Sequence, residues 1–493
     1  MNIQEAKEQI KYAMTAYFAK DELGNYEIPL NRQRPVFLVG APGIGKTAIM
    51  EQIAEELGVI LVSYSMTHHT RQSALGLPYI AQKDYRGEAY QVSEYTMSEI
   101  ISSVYDAMEA TGLAEGILFL DEINCVSEAL TPSMLQFLQY KTFGRHALPE
   151  GWIVVTAGNP PEYNRTVREF DIVTLDRLKK IEVEPDLEAW KQYAFGCGVH
   201  PSILTYLEIK KNHFYHVETK AGGKSFVTAR GWEDLSRMIR ICEKKDLPVN
   251  KKLISQYLQD AKIAGDFAAY YDLFRKYRSD YQIEAILRGT AGPEISSRAA
   301  SARFDERIAF LGLLVNALSE KSSRIRERED VLSRLLASLK EMKPYAENGE
   351  ALDALIRGQL EKTERGLLVR QKSGTLSVPE KRAAQLAMER LSAWLPKAEG
   401  FADLKGFLQE DAGLLSREAE SLSHEMKNAF AFLEETFSEG QELLLFVTEL
   451  TVDPNLSRFL SHYRSAEYER HSRSLQFHSR SREIAERMEQ IKQ

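Results

Sequence analysis

Residues 40–47 read Gly40-Ala41-Pro42-Gly43-Ile44-Gly45-Lys46-Thr47, with Ala48 next. Two glycines with four residues between them, followed by Lys and Thr, suit a bound polyphosphate. Glycines let the main chain curl so that successive N–H groups face phosphate oxygens. A helix opening at Lys46 adds the partial positive charge of its N-terminus. Lys46 is placed to reach β- and γ-phosphates, and Thr47 to set its hydroxyl on Mg²⁺. A second pair of groups, Asp121-Glu122, ends the apolar run 117–120. Asp121 suits the Mg²⁺ shell, and Glu122 suits orienting and polarising an attacking water. Asn159 follows Gly158 after another apolar run and can hydrogen-bond that water or the γ-phosphate. Arg177, in Thr174-Leu175-Asp176-Arg177-Leu178, and Arg230, in Thr228-Ala229-Arg230, offer guanidinium charge for a transferring phosphoryl group. One would come from a neighbouring subunit and the other from a lid. Arg165 and Arg168 are rivals for the role in trans.

These groups need a scaffold that gathers them. Residues 36–40, 61–66, 117–121 and 152–157 are short, near-continuous apolar runs, and 181–183 is a possible fifth. Continuous rather than alternating apolar residues predict strands buried on both faces of a parallel sheet. Helical stretches lie between them at 46–57, 98–110 and 128–140, and Gly58 stands where a helix C′ residue belongs. Strand ends at the carboxyl edge of such a sheet deliver their last side chains to a ligand crevice. Residues 1–20 form one amphipathic helix. The fold expected is therefore a doubly wound α/β core over 1–184. A small all-helical lid follows over 185–290, with helices at 186–195, 228–244, 251–264 and 266–277. A C-terminal helical extension, bundle or arm, occupies 291–493, with breaks near 344–349, 374–379, 396–400 and Pro454. Its mildly basic stretch 464–482 reads as a solvated helix face.

Composition narrows the class. Lys and Arg total 63 against 71 Asp and Glu, a net charge of −8, which speaks against a nucleic-acid coat protein. The three cysteines, Cys125, Cys197 and Cys242, form no CxxC pair, so neither a disulfide framework nor a thiolate zinc site is expected, and a reducing cytoplasm fits. His213 and His216 form HxxH and His68-His69 are adjacent, but a zinc site needs three or four ligands at suitable spacing. Trp232 is expected to pack the lid helix. No secretory signal and no apolar run long enough for a membrane span are present.

Taken together, GAPGIGKT, ILFLDEIN, TAGNPPEYN, LDRL and TARGW resemble the AAA+ ATPases, and within them the MoxR-like group. The segment HTRQSALGLPYI with a hairpin-like stretch around 83–87 resembles the extra insert in the second helix of that clade. The resemblance covers about residues 1–290. It implies a P-loop AAA+ sheet core with the phosphate-loop roles on Lys46 and Thr47, metal and hydrolytic roles on Asp121 and Glu122, sensor 1 at Asn159, the arginine finger at Arg177 and sensor 2 at Arg230. Where the family usually has Phe after that finger, this chain has Leu178. The resemblance also implies ATP and Mg²⁺, a hexameric ring with nucleotide between subunits, and a von Willebrand factor A-domain partner in maturing or assembling a protein client. Three other classes compete: a DNA-remodelling motor, a nucleotide-gated scaffold with negligible turnover, and a small-molecule kinase.

Overall fold

The computed structural model describes residues 1–68, 71–163, 167, 169–220, 223–372, 376–438 and 440–473. Its contacts divide the chain into two compact units, residues 1–189 with 360–381, and residues 190–359 with 382–493.

In the first unit five strands form one parallel sheet: β1 (Val36–Gly40), β2 (Ile60–Ser65), β3 (Gly116–Asp121), β4 (Trp152–Gly158) and β5 (Lys179–Val183). Their spatial order is β2-β3-β4-β1-β5. These are the five expected runs, shifted by at most two residues at any end. Ile117, Leu118, Phe119 and Leu120 of β3 are fully buried, and every residue of β4 is buried, so neither strand has a polar face to alternate with. The chain crosses from β1 past β4 and β3 to β2, returns strand by strand, and ends with β5 on the far side of β1.

The N-terminal helix Ile3–Tyr17 starts with a reciprocal cap between Asn2 and Glu5. Lys7 ties it to Glu56 (2.6 Å) and Gln52 (3.0 Å) on the helix Lys46–Leu57. That helix ends at Gly58 with φ +65°, as its sequence position predicts. The expected insert hairpin pairs Pro78–Tyr85 with Glu88–Tyr95. A second, shorter hairpin, Thr142–Phe143 with His146–Ala147, was not legible in the sequence. The helix expected from residue 128 begins at Thr131 instead. Pro132 is confined to a first turn because it lacks an N–H to donate further in.

Lys141 follows that helix in the left-handed conformation (φ 59°) and is only 2% exposed. Its ammonium donates to the Leu138 carbonyl, and burial pushes the amine down to about 7. In the unfolded chain it titrates near the ordinary value of about 10.5. Between about pH 7 and 10.5 unfolding therefore takes up a proton, and this group's contribution to stability rises with pH; below about 7 its full desolvation cost is present. Lys141→Met is expected to raise the melting temperature at about pH 6.5, by roughly 2–4 °C per kcal/mol relieved. It should also flatten the rise between about pH 7 and 9. Thermal melts at the two pH values check this, and an unchanged pH slope would contradict it.

Among its described residues the second unit is helical apart from one hairpin, His216–Lys220 with Gly223–Val227, inside the stretch read as all-helical. Its strands are five residues each, too short for a distinct period-2 signal. The helix expected over 251–264 breaks after Tyr257. Gln259 bridges to Phe226 of the hairpin, and Asp260 caps the next helix, Ala261–Asp280, by accepting from Lys262 N and Ile263 N. Phe304–Glu347 is a single 44-residue helix that runs through Pro344 and stops before Gly349. Helices from both sides of residue 290 share one core, in which Phe274, Tyr281 and Ile286 meet Phe310, Phe430 and Phe446. The helix Phe401–Phe437 and the helices Gln441–Val452 and Pro454–His462 complete it. No helix among the described residues is long and apolar enough to cross a membrane. The basic stretch from residue 474 lies outside the described residues.

Candidate nucleotide site

β1 delivers Gly40 to the loop 40–47, which opens into the helix Lys46–Leu57. A Cβ on Gly40 would meet the Val183 carbonyl at 2.6 Å and Ile44 Cδ1 at 2.8 Å, so only glycine lets β5 and the loop close on this point. Gly45 stands at the helix N-cap with φ +97° and places no capping side chain over the first N–H groups. Within the curl, Ala41 and Ile44 are buried, while Pro42, Gly43, Thr47 and Ala48 keep partial exposure.

Lys46 is 8% exposed. Its ammonium donates to Gly40 O (2.7 Å), Ala41 O (2.9 Å) and Asn159 Oδ1 (2.9 Å). The lysine of β1's loop and the asparagine after β4 thus meet, although 113 residues separate them. Thr47 Oγ1 donates to Asp121 Oδ2 at 3.0 Å. A hydroxyl and a carboxylate at that distance are the hard oxygen pair Mg²⁺ takes, alongside phosphate oxygens and water. The other carboxylate oxygen, Asp121 Oδ1, accepts from Glu122 N at 2.9 Å. Glu122 leaves the strand in the left-handed conformation (φ 55°). Its Oε2 accepts from Ser65 Oγ and Thr67 Oγ1, both at 3.2 Å.

Three of these partners were missed in the sequence. Ser65 and Thr67 hold Glu122 because β2 lies next to β3 with Ser65 opposite Asp121. The third is Asn124, 6% exposed, whose Nδ2 donates to Asn159 O at 2.8 Å. A Cβ on Gly158 would meet Asn124 Oδ1 at 2.5 Å, so the glycine before Asn159 makes room for this bridge. The only signal was the Asn closing ILFLDEIN.

The arginines are placed differently. Arg177 is exposed, and its Nη1 donates to Gln139 Oε1 at 2.6 Å. It precedes Lys179, which pairs with Val36, at the opposite end of β1 from Gly40. The rise of about 3.3 Å per residue puts roughly 13 Å of strand between those levels. Arg230 is an exposed residue of the second unit, at the start of the helix Ala229–Lys244, where Thr228 Oγ1 accepts from Gly231 N. Arg165 and Arg168 lie outside the described residues.

The loop, the acids and the strand order set the comparison in context. Residues 35–178 match the family described as AAA domain (dynein-related subfamily). No curated protein matches the chain. The matched span begins just before β1 and ends just before β5. An AAA domain is an ATPase module of the AAA+ type that binds nucleotide, typically with Mg²⁺, and the sheet with its flanking helices has the AAA+ fold. Among the described residues one group, His216, Glu218 and Asp260, brings ligand-type atoms within 4.8 Å. Asp260 already accepts from Lys262 N, Ile263 N and Ser225 Oγ. His213 bonds to Tyr206 Oη at 2.7 Å. Trp232 is fully buried, with its indole N–H on the Phe214 carbonyl, a packing role.

Proposed function

We propose that the chain is a MoxR-like AAA+ ATPase working as a ring, taken as a hexamer. Each nucleotide is shared between neighbours, and hydrolysis remodels or assembles a protein client together with a von Willebrand factor A-domain partner. The observation that carries the ATPase reading is the convergence of Lys46, Thr47, Asp121, Glu122 and Asn159 at the carboxyl ends of β1, β3 and β4. Lys46 and the N–H groups of the loop 40–48 hold the phosphates. Thr47 and Asp121 hold Mg²⁺, which when bound supplies positive charge to the β- and γ-phosphate oxygens. Glu122 takes the proton of the attacking water, and Asn159 orients that water. Phosphoryl transfer depends on positioning and charge stabilisation, so each of these groups acts through its place.

Arg177 stands too far along the sheet to serve the loop of its own subunit, which supports its action at a neighbour's nucleotide. Arg230 supplies the second guanidinium, from the lid. The Ser65 and Thr67 hydroxyls compete with water for Glu122. The double variant Ser65→Ala, Thr67→Val is therefore expected to raise turnover at saturating ATP about threefold with little change in KM, on the scale of one weakened hydrogen bond. Unaltered turnover would leave the two hydroxyls a structural role only.

The reading as a whole is tested by phosphate release from Mg·ATP. The rate per subunit is expected to rise with protein concentration as neighbours assemble and then level off. A rate per subunit independent of concentration down to the monomeric range would overturn the shared site. No phosphate release at any concentration would overturn the ATPase.

A further inference from the structure

Arg177 is held by more than its own backbone. Its Nη1 donates to Gln139 Oε1 at 2.6 Å, and its charge acts on the Asp171 carboxylate. Asp171 is held below the usual carboxylate range by its bonds to Thr174, with the Arg177 charge behind them. Gln139 is the penultimate residue of the helix Thr131–Tyr140. Three residues later, past Lys141, the chain enters the short hairpin, and Phe137 of the helix stacks on Phe143 of the hairpin with ring centroids 4.2 Å apart and planes 4° apart. The end of the helix and the hairpin are therefore packed together.

The tip of that hairpin grips the longer one. Arg145 pairs with Glu94, and His146 Nε2 lies 3.2 Å from Tyr95 O. Glu94 is buried and also takes Lys83 and the Tyr79 hydroxyl (3.0 Å). Lys83, then Tyr79 and Arg145, hold its carboxyl below the usual range. The longer hairpin carries Tyr79, Ile80, Tyr85, Tyr90 and Tyr95 exposed, with Ile80 74% open to solvent. A line of direct contacts thus runs from an exposed aromatic hairpin through Glu94, Arg145 and the short hairpin to Gln139 and Arg177.

We infer that Gln139 is a positioning residue for Arg177, and that the Arg145–Glu94 pair fixes Gln139 by anchoring the short hairpin to the longer one. The inference rests on Arg177 acting at a neighbour's nucleotide. A guanidinium that reaches across a subunit boundary must be aimed before the boundary closes, and a misplacement of about 1 Å costs on the order of a hundredfold. The side-chain oxygen at 139 supplies an acceptor that fixes that aim.

The test measures steady-state phosphate release by the full chain carrying Arg177→Ala, Gln139→Ala, Gln139→Glu, Arg145→Ala or Arg145→Lys, each alone and mixed with an excess of Lys46→Ala subunits. Alanine keeps the helix at 139, since it is the best helix former. Arg145→Ala leaves Glu94 its bonds to Lys83 and Tyr79, so the longer hairpin keeps its fold. Gln139→Ala is expected to lower kcat about tenfold to a hundredfold with KM for ATP within about twofold, and Gln139→Glu to retain most of the rate. Arg145→Ala is expected to lower kcat in the same sense, and Arg145→Lys to restore it. In the mixtures, Lys46→Ala subunits bring an intact Gln139–Arg177 pair to the sites of Gln139→Ala or Arg177→Ala neighbours, so the rate per intact site is expected to recover. A fold defect within the Gln139→Ala subunit would not recover, and that result overturns the inference. If Arg177→Ala loses turnover while Gln139→Ala or Arg145→Ala keeps the native rate, the inference falls and the finger stands. If Arg177→Ala itself turns over normally, the finger and the inference fall together.

Discussion

Glu122→Gln is expected to bind Mg·ATP about as tightly as the native chain and to release phosphate roughly 10²–10⁴-fold more slowly, the usual contribution of a positioned general base. The change is nearly isosteric. The amide oxygen still accepts from Ser65 and Thr67, and the main-chain bond from residue 122 to Asp121 Oδ1 is untouched. The left-handed backbone at residue 122 is set by its place after β3 rather than by the carboxylate. What is lost is the ability to take a proton from water. Unhydrolysed ATP is therefore expected to co-elute with the protein in gel filtration, where the native chain would carry ADP. Native turnover in this variant would mean that another group does the proton transfer.

Lys46→Ala is expected to lose ATP binding by at least about a hundredfold, or about 2.8 kcal/mol at 1.4 kcal/mol per tenfold. Two effects act together. The buried ammonium that would meet the phosphates is gone, and so are its bonds to the Gly40 and Ala41 carbonyls and to Asn159, which shape the loop and tie it to the end of β4. Calorimetric titration with Mg·ATP decides the matter. Binding within tenfold of native would show that the curled main chain alone carries the affinity and that Lys46 is a loop brace.

Much of this site was legible because its residues are local signals. A glycine-rich loop between an apolar run and a helix, or two acids closing a run, is visible in a few consecutive letters. The five strands were legible for the same reason: β3 and β4 are buried throughout, so the apolar runs are unbroken. Ser65, Thr67, Asn124 and Gln139 were not. Each owes its place to strand order or to a contact dozens of residues away, and a serine at the end of a strand carries no sign of a partner until β2 is set beside β3. The second unit was harder. Its helices are plain in the sequence, but the hairpin and the break at 258–260 are joined by a bridge from Phe226 to Gln259 that no local signal announces. Pro344 was read as a stop, yet a proline near a helix end removes only one hydrogen bond there, and the chain carries on to Glu347.

The position of β1 in the sheet bears on how the protein comes into being. Its two neighbours, β4 and β5, lie more than a hundred residues downstream. During synthesis the loop at 40–47 emerges early, but nothing pairs with the strand that carries it until residues 152–183 have left the ribosome. Such distant pairing slows folding, and it leaves an apolar strand unpaired in the nascent chain for the interval. At about 5–20 residues per second that exposure lasts several seconds or longer. A ribosome-stalled fragment ending before residue 150 therefore leaves β1 without either of its neighbours.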